Sequence, residues 1–158
     1  MIDKLISNQR HKVQQDWVVR ARLFDLVIGD WDRHDDQWRF ATFDLGEKGG
    51  IETYRPIPRD RDQVFPNYDG LLVGIARFAQ PILRQLTPYE DNIKSLKWAV
   101  FNARHFDNSF MNELEWEDWK KEVEFLQANL TDEVIDSAFL QVRPEHKELL
   151  QFDEIGKT

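Results

Sequence analysis

Cysteine is absent from this chain of 158 residues. Disulfides, thiolate zinc sites and thiol catalysis are therefore excluded, while the compartment stays open, because a cysteine-free domain is stable anywhere. Long hydrophobic runs are absent too, and nothing in the sequence reads as a membrane span. The opening stretch MIDKLISNQR lacks the apolar core of a signal peptide. Positive charge is in deficit: the formal net charge is −8 and the sequence pI about 5.0. Such a chain has no general attraction to nucleic acid or to anionic lipid. Repeats and low-complexity linkers are also missing. What the chain does have is large apolar side chains. Hydrophobic residues make up 41%, with eleven Phe and six Trp, enough for a single packed domain and too many for global disorder. The closing LQFDEIGKT has no obvious cap, which reads as a cut through a longer protein.

Periodicity orders the elements. Val13, Trp17, Ala21, Phe24 and Ile28 recur at three- and four-residue steps, which predicts a helix over residues 9–28 with one apolar stripe, stopped by Gly29. Residues 30–36 follow as a loop. Alternation in QWRFATFD predicts a strand, LGEKGG a turn, and IETYRPIPRD a second strand. Pro56 and Pro58 cannot donate ladder bonds, so that strand is an edge or is broken near its end. Gln37 to Asp44 and Ile51 to Arg59 are thus expected to pair as an antiparallel hairpin. The rest reads as helical, with Pro81 kinking or splitting LLVGIARFAQPILRQL. SLKWAVFNARHF and DNSFMNEL are short helical candidates. In EWEDWKKEVEFLQANL the stripe Trp116, Trp119, Val123 and Leu126 predicts a helix. Trp17, Trp116 and Trp119 are expected to be largely buried on such stripes. Thr131 is placed to cap the next helix, and Pro144 to open a last short one. The fold class is therefore α+β, mostly α, a helical bundle with one small hairpin that carries acidic loops.

The densest chemistry lies in IGDWDRHDDQW, residues 28–38, which holds four aspartates, an arginine, a histidine and two tryptophans. A second acidic run, RDRDQ, follows the second strand. A hairpin sets the start of its first strand beside the end of its second. Asp32 to Asp36 should therefore meet Asp60 to Asp62. Clustered carboxylates want a divalent cation, and hard oxygen ligands favour magnesium, manganese or calcium. Arg33, Arg59 and Arg61 interleave with the acids, either to pair with them or to hold phosphate. The plainer alternative is a solvated turn with surface ion pairs. Trp31 and Trp38 read as core anchors of the loop, and His11, His105 and His146 carry no motif.

GDWDRHDDQW, a hairpin and PRDRDQ together resemble the catalytic half of atypical protein-kinase-like enzymes. Phosphatidylinositol kinases carry Asp-Arg-His-x-x-Asn followed by a metal-binding aspartate on the next strand. Secretory-pathway kinases carry Gly-Asn-x-Asp-Arg-His, and spore-coat kinases of the CotH type a comparable loop. The match covers residues 28–38 and 56–65. It implies a kinase C-lobe fold, ATP, and Mg or Mn. Asp32 then orients the attacking hydroxyl, with Arg33 and His34 bracing the catalytic loop or touching phosphate. Asp60 holds the metal, with Asp62 as the alternative and Gln37 and Asp36 completing the site; Arg59 and Arg61 would face the cofactor. The chain departs from the pattern in three ways. Gln37 replaces Asn, Arg61 replaces the Phe of Asp-Phe-Gly, and no Gly-rich loop or strand lysine precedes Asp32. The resemblance thus implies a C-lobe whose N-lobe lies elsewhere in a longer parent chain. Segments of this kind also resemble parts of long bacterial envelope proteins. The phosphate acceptor stays open among protein, lipid and small molecule. Two other readings stand beside the kinase. One is a non-catalytic module of the same fold. The other is a metal-dependent phosphohydrolase built on His34, Asp35 and His105.

Overall fold

The computed structural model describes residues 5, 7, 10–43, 52–68 and 70–141. The turn expected at residues 44–50 and the last helix expected from Pro144 lie outside the described residues. The chain divides into two compact units, residues 1–123 and 124–158.

In the first unit the elements run β1 (His11–Val13), α1 (Gln15–Val27), β2 (Trp38–Phe43), β3 (Glu52–Pro58), α2 (Leu71–Ala79), α3 (Leu96–Ala99) and α4 (Arg104–Phe110). Helix α5 (Trp116–Asn129) starts in this unit, and α6 (Asp132–Leu140) lies in the second. Tight 3-10 turns occupy Asp35–Gln37 and Pro81–Gln85. The fold is α+β and mostly helical, as the sequence implied.

The expected hairpin is present, with Trp38 opposite Pro58 and Phe43 opposite Thr53. The sheet has a third strand that periodicity concealed. Its order is β1-β3-β2, with β1 parallel to β3 and His11 opposite Glu52. Residues 11–13 were expected to open the first helix. Backbone pairing overrides that reading, since Glu52 N donates to Arg10 O at 2.8 Å and Gln14 N to Tyr54 O at 2.9 Å. The prolines fit this arrangement. Arg59 N donates to Gln37 O, so odd-numbered residues of β3 face β2, and Pro56 and Pro58 face the side that β1 has left uncovered. Strand β3 is thus central at its start and an edge at its end.

Helix α1 stops where expected. Gly29 takes φ 69°, and a Cβ there would lie 2.8 Å from Tyr89 Cδ2. Pro81 opens the 3-10 turn that follows α2 across Gln80. In the second unit Thr131 caps α6, with Val134 N donating to its hydroxyl oxygen at 3.4 Å. Leu5, Val18, Trp38, Tyr54, Phe106 and Phe110 form the core, and Trp38 stacks flat on Phe106 at 4.1 Å.

Which face each helix buries differs from expectation. In α1 the buried residues are Val18, Val19, Arg22 and Asp25, while Trp17, Ala21 and Phe24 are half-buried. In α5 the buried residue is Glu122, held by Arg20 Nε at 2.6 Å. Trp116 is 75% exposed and Trp119 half-buried. Both helices turn toward the core a face carrying charge that has found a partner.

Candidate functional site

The two acidic runs meet, and arginine joins them. Arg33 is wholly buried. Its guanidinium donates to Asp25 Oδ2 through Nε at 3.0 Å, to Asp30 Oδ2, and through Nη1 to the carbonyl of Arg59 in the second loop. Arg59 N donates back to Gln37 O at 2.8 Å. Arg61, also in the second loop, reaches Asp25 Oδ1 with Nε at 3.1 Å and Nη2 at 3.0 Å. The hairpin brings the loops within reach, and these bonds hold them.

Asp25 is the centre of this network, although no sequence motif marks it. It is wholly buried and accepts from Arg22, Arg33 and Arg61. Arg22 extends the network to Asp107 on α4, with Nε donating to Oδ1 at 2.8 Å and Nη2 to Oδ2 at 3.3 Å. Arg22, Arg33 and Arg61 thus balance Asp25, Asp30 and Asp107 in formal charge, which is the condition for keeping such groups out of water. Aromatic rings close two sides: Arg33 lies 5.5 Å from the Trp38 ring and Arg61 5.2 Å from that of Phe24. Burial pushes the carboxyls of Asp30 and Asp107 above the ordinary aspartate range, opposed by Arg33 and Arg22 respectively. One signal for Asp25 was available. An acid in the last turn of a helix opposes the macrodipole and needs cations of its own.

Around this network the expected site residues fall into three sets. Arg33, Gln37 and Arg61 are drawn inward. Asp36, Arg59, Asp60 and Asp62 stand on the outside, and none of their side chains forms a salt bridge among the described residues. Asp32 is half-buried, and its Oδ1 accepts from Asn102 Nδ2 at 2.9 Å. His34 is half-buried beside it, its carbonyl accepting from Gln37 N at 3.1 Å. Asp60 takes φ 57°, a left-handed conformation that aspartate tolerates better than most residues. Asp30 Oδ1 and Gln37 Oε1 are buried without a hydrogen-bond partner. His105, which had no readable motif, sets Nδ1 2.9 Å from Asp35 Oδ2. Among the described residues no three His, Asp or Glu side chains are grouped so as to hold a metal ion. Asn102 and Asp107 come from distant parts of the chain, and no local pattern announced them.

Trp38 anchors the loop in the core as expected, whereas Trp31 is half-buried outside the core, edge-on to Tyr68 at 6.0 Å. No helix of the described residues is long and apolar enough to cross a membrane. Compared with protein-family models, curated proteins and solved structures, the chain matches none of them.

Proposed function

We propose that this chain is a kinase-like domain for metal-dependent phosphoryl transfer from ATP, with Asp32 as the group that orients the attacking hydroxyl. The observation that supports this most is the buried Arg33, which ties the Asp32 loop to the Asp60 loop through the Arg59 carbonyl. A surface charge run needs no such fixture, whereas phosphoryl transfer depends on carboxylates held in place. Asn102 steadies one oxygen of Asp32, so the other is left to accept the hydroxyl proton. The donors fit a hard cation in kind. Asp60, Asp62 and Asp36 are exposed carboxylates, and Gln37 offers a buried, unpartnered oxygen. Asp60 would hold Mg or Mn, with Asp62, Asp36 or Gln37 completing the set and phosphate oxygens supplying the rest. The bound cation would neutralise charge on the β and γ phosphates. The exposed Arg59 suits a phosphate contact, whereas Arg61 serves Asp25.

On this reading the grip on adenine belongs to a lobe supplied by a longer parent chain. Transfer from labelled ATP with magnesium is expected barely above background for these 158 residues. It is expected to appear with the parent, and to vanish in Asp32→Ala and Asp60→Ala. A parent indifferent to Asp32→Ala would end the kinase reading.

A second reading, a non-catalytic binding or structural module, is favoured by the commitment of Arg61 to Asp25. Manganese titration with ATP present separates the two, because line broadening in NMR spectra near Asp32 and Asp60 belongs to the first alone. The His105–Asp35 contact favours a phosphohydrolase. That would show as phosphate-ester hydrolysis lost in His105→Ala.

A further inference from the structure

The segment from α2 to α3 forms an open, solvent-facing cleft of about 290 Å³, lined by no residue of the acidic loops. The backbone builds it simply. Pro81 stops α2 and turns the chain into the 3-10 segment, which packs back on α2 and against α3. Arg77 enters from the last turn of α2, Arg84 from the 3-10 turn, and Lys94 and Ser95 from the approach to α3. Thr87 and Trp98 complete this side of the wall.

The lining has three cations, two hydroxyls and no carboxylate, in a chain whose net charge is −8. Arg77 Nε is buried without a hydrogen-bond partner. Lys94 is paired to Glu90 at 2.6 Å, but Glu90 is not part of the wall. Trp98 carries Arg84 6.0 Å and Lys97 5.5 Å from its ring centroid. Phe78, also on the wall, is 87% exposed. Gly74 adds a further observation. A glycine inside a helix costs about 0.5–1 kcal/mol relative to alanine, yet a Cβ at Gly74 would meet nothing within 4 Å. Packing therefore does not require glycine there, and Gly74 is one of the residues that line the pocket.

We infer that this pocket binds a small organic phosphate bearing a planar ring. Arg77, Arg84 and Lys94 receive the phosphate with the hydroxyls of Thr87 and Ser95, and the ring lies against Trp98 and Phe78. Guanidinium and ammonium donors to phosphate are the strong hydrogen bonds of such sites. The volume is at the small end of ligand pockets, which start near about 300 Å³, so one ring with one or two phosphates fits better than a larger ligand. This inference does not rest on the reading of Asp32 and Asp60.

Calorimetry and tryptophan fluorescence with adenosine monophosphate, inorganic phosphate and adenosine test it. The monophosphate is expected to bind, inorganic phosphate to bind more weakly, and adenosine not detectably. Loss of the exposed cations in Arg84→Ala with Lys94→Ala should weaken the monophosphate at least about tenfold. Glu90→Gln, which frees Lys94, should tighten it. Gly74→Leu should abolish binding with the melting temperature unchanged or raised. Trp98→Phe should remove the fluorescence response while inorganic phosphate still binds, and Asp32→Ala should leave every affinity as it was. The inference is overturned if neither phosphate compound binds at millimolar concentration. It is equally overturned if adenosine binds as tightly as the monophosphate, or if the Arg84 and Lys94 variants bind normally.

Discussion

Around Asp25 the protein keeps Arg22, Arg33, Asp25 and Asp30 almost wholly out of water, whereas on α2 it leaves Leu71, Leu72 and Phe78 more than four-fifths exposed. The first region inverts the usual placement of charge, the second that of hydrocarbon. They are built on opposite terms. A buried charge is tolerable only when each partner is present, so the Asp25 network stands or falls as a unit. An exposed leucine forgoes a favourable burial but strands nothing. Stability should therefore be concentrated in the charged region and almost indifferent to the apolar one.

The most direct way to break this contrast is Asp25→Ala. It leaves the guanidiniums of Arg22, Arg33 and Arg61 without their shared acceptor, and breaking a buried pair costs about 3–5 kcal/mol. Urea unfolding should show a loss of that size, and a loss under about 1 kcal/mol would mean that water reaches the network. Arg61→Ala should cost less, about 1–2 kcal/mol, because its side chain is 30% exposed and Asp25 keeps two other donors.

A smaller effect should appear as a slope with pH. Burial raises the Asp107 carboxyl above its ordinary value of 3.8. The folded protein then holds that proton more tightly than the unfolded chain does. This contributes stability at low pH that is lost as pH rises from 3.8 through the raised value. The stability of the wild type minus that of Asp107→Asn should fall across this window, and a rise would reverse the assigned direction. Least of all should come from α2. Leu72→Gln and Phe78→Gln should each stay within about 0.5 kcal/mol of wild type in the same assay. A larger loss would show that the exposed stripe packs on something.

The hairpin, the stop at Gly29 and the cap at Thr131 were legible because each depends on residues near one another in sequence. Alternation sets a strand, a left-handed residue ends a helix, and a hydroxyl meets an amide three positions on. The meeting of the two acidic loops followed from the hairpin alone. The centre of the site was legible only in the one unfavourable acid of the last helical turn, and not in the apolar pattern. Helix α1 has apolar residues on more than one face, so the stripe through Trp17 and Phe24 gave no hint that Arg22 and Asp25 face inward. Their burial depends on partners from the second loop and α4, which no local window contains. Glu122 was hidden by Trp116 in the same way: the large aromatic suggested the buried face, while Arg20 had already made the other one neutral. Strand β1 was lost because three residues paired across the sheet look like the first turn of a helix.

The partners of the Asp25 network also set an order of assembly. Arg22 is three residues from Asp25, Arg33 eight, and Arg61 thirty-six, while Arg22 and Asp107 are eighty-five apart. Closing the longer loops costs more entropy, so those arms are expected to join later. Until then the carboxylate keeps its water, because dehydrating it early would strand a charge. The last arms to arrive therefore contribute to the native state more than to the barrier before it. Removing Arg61 should hasten unfolding rather than slow folding. The arginine that joins the second loop to Asp25 should thus govern how long the folded site lasts, more than how quickly it forms.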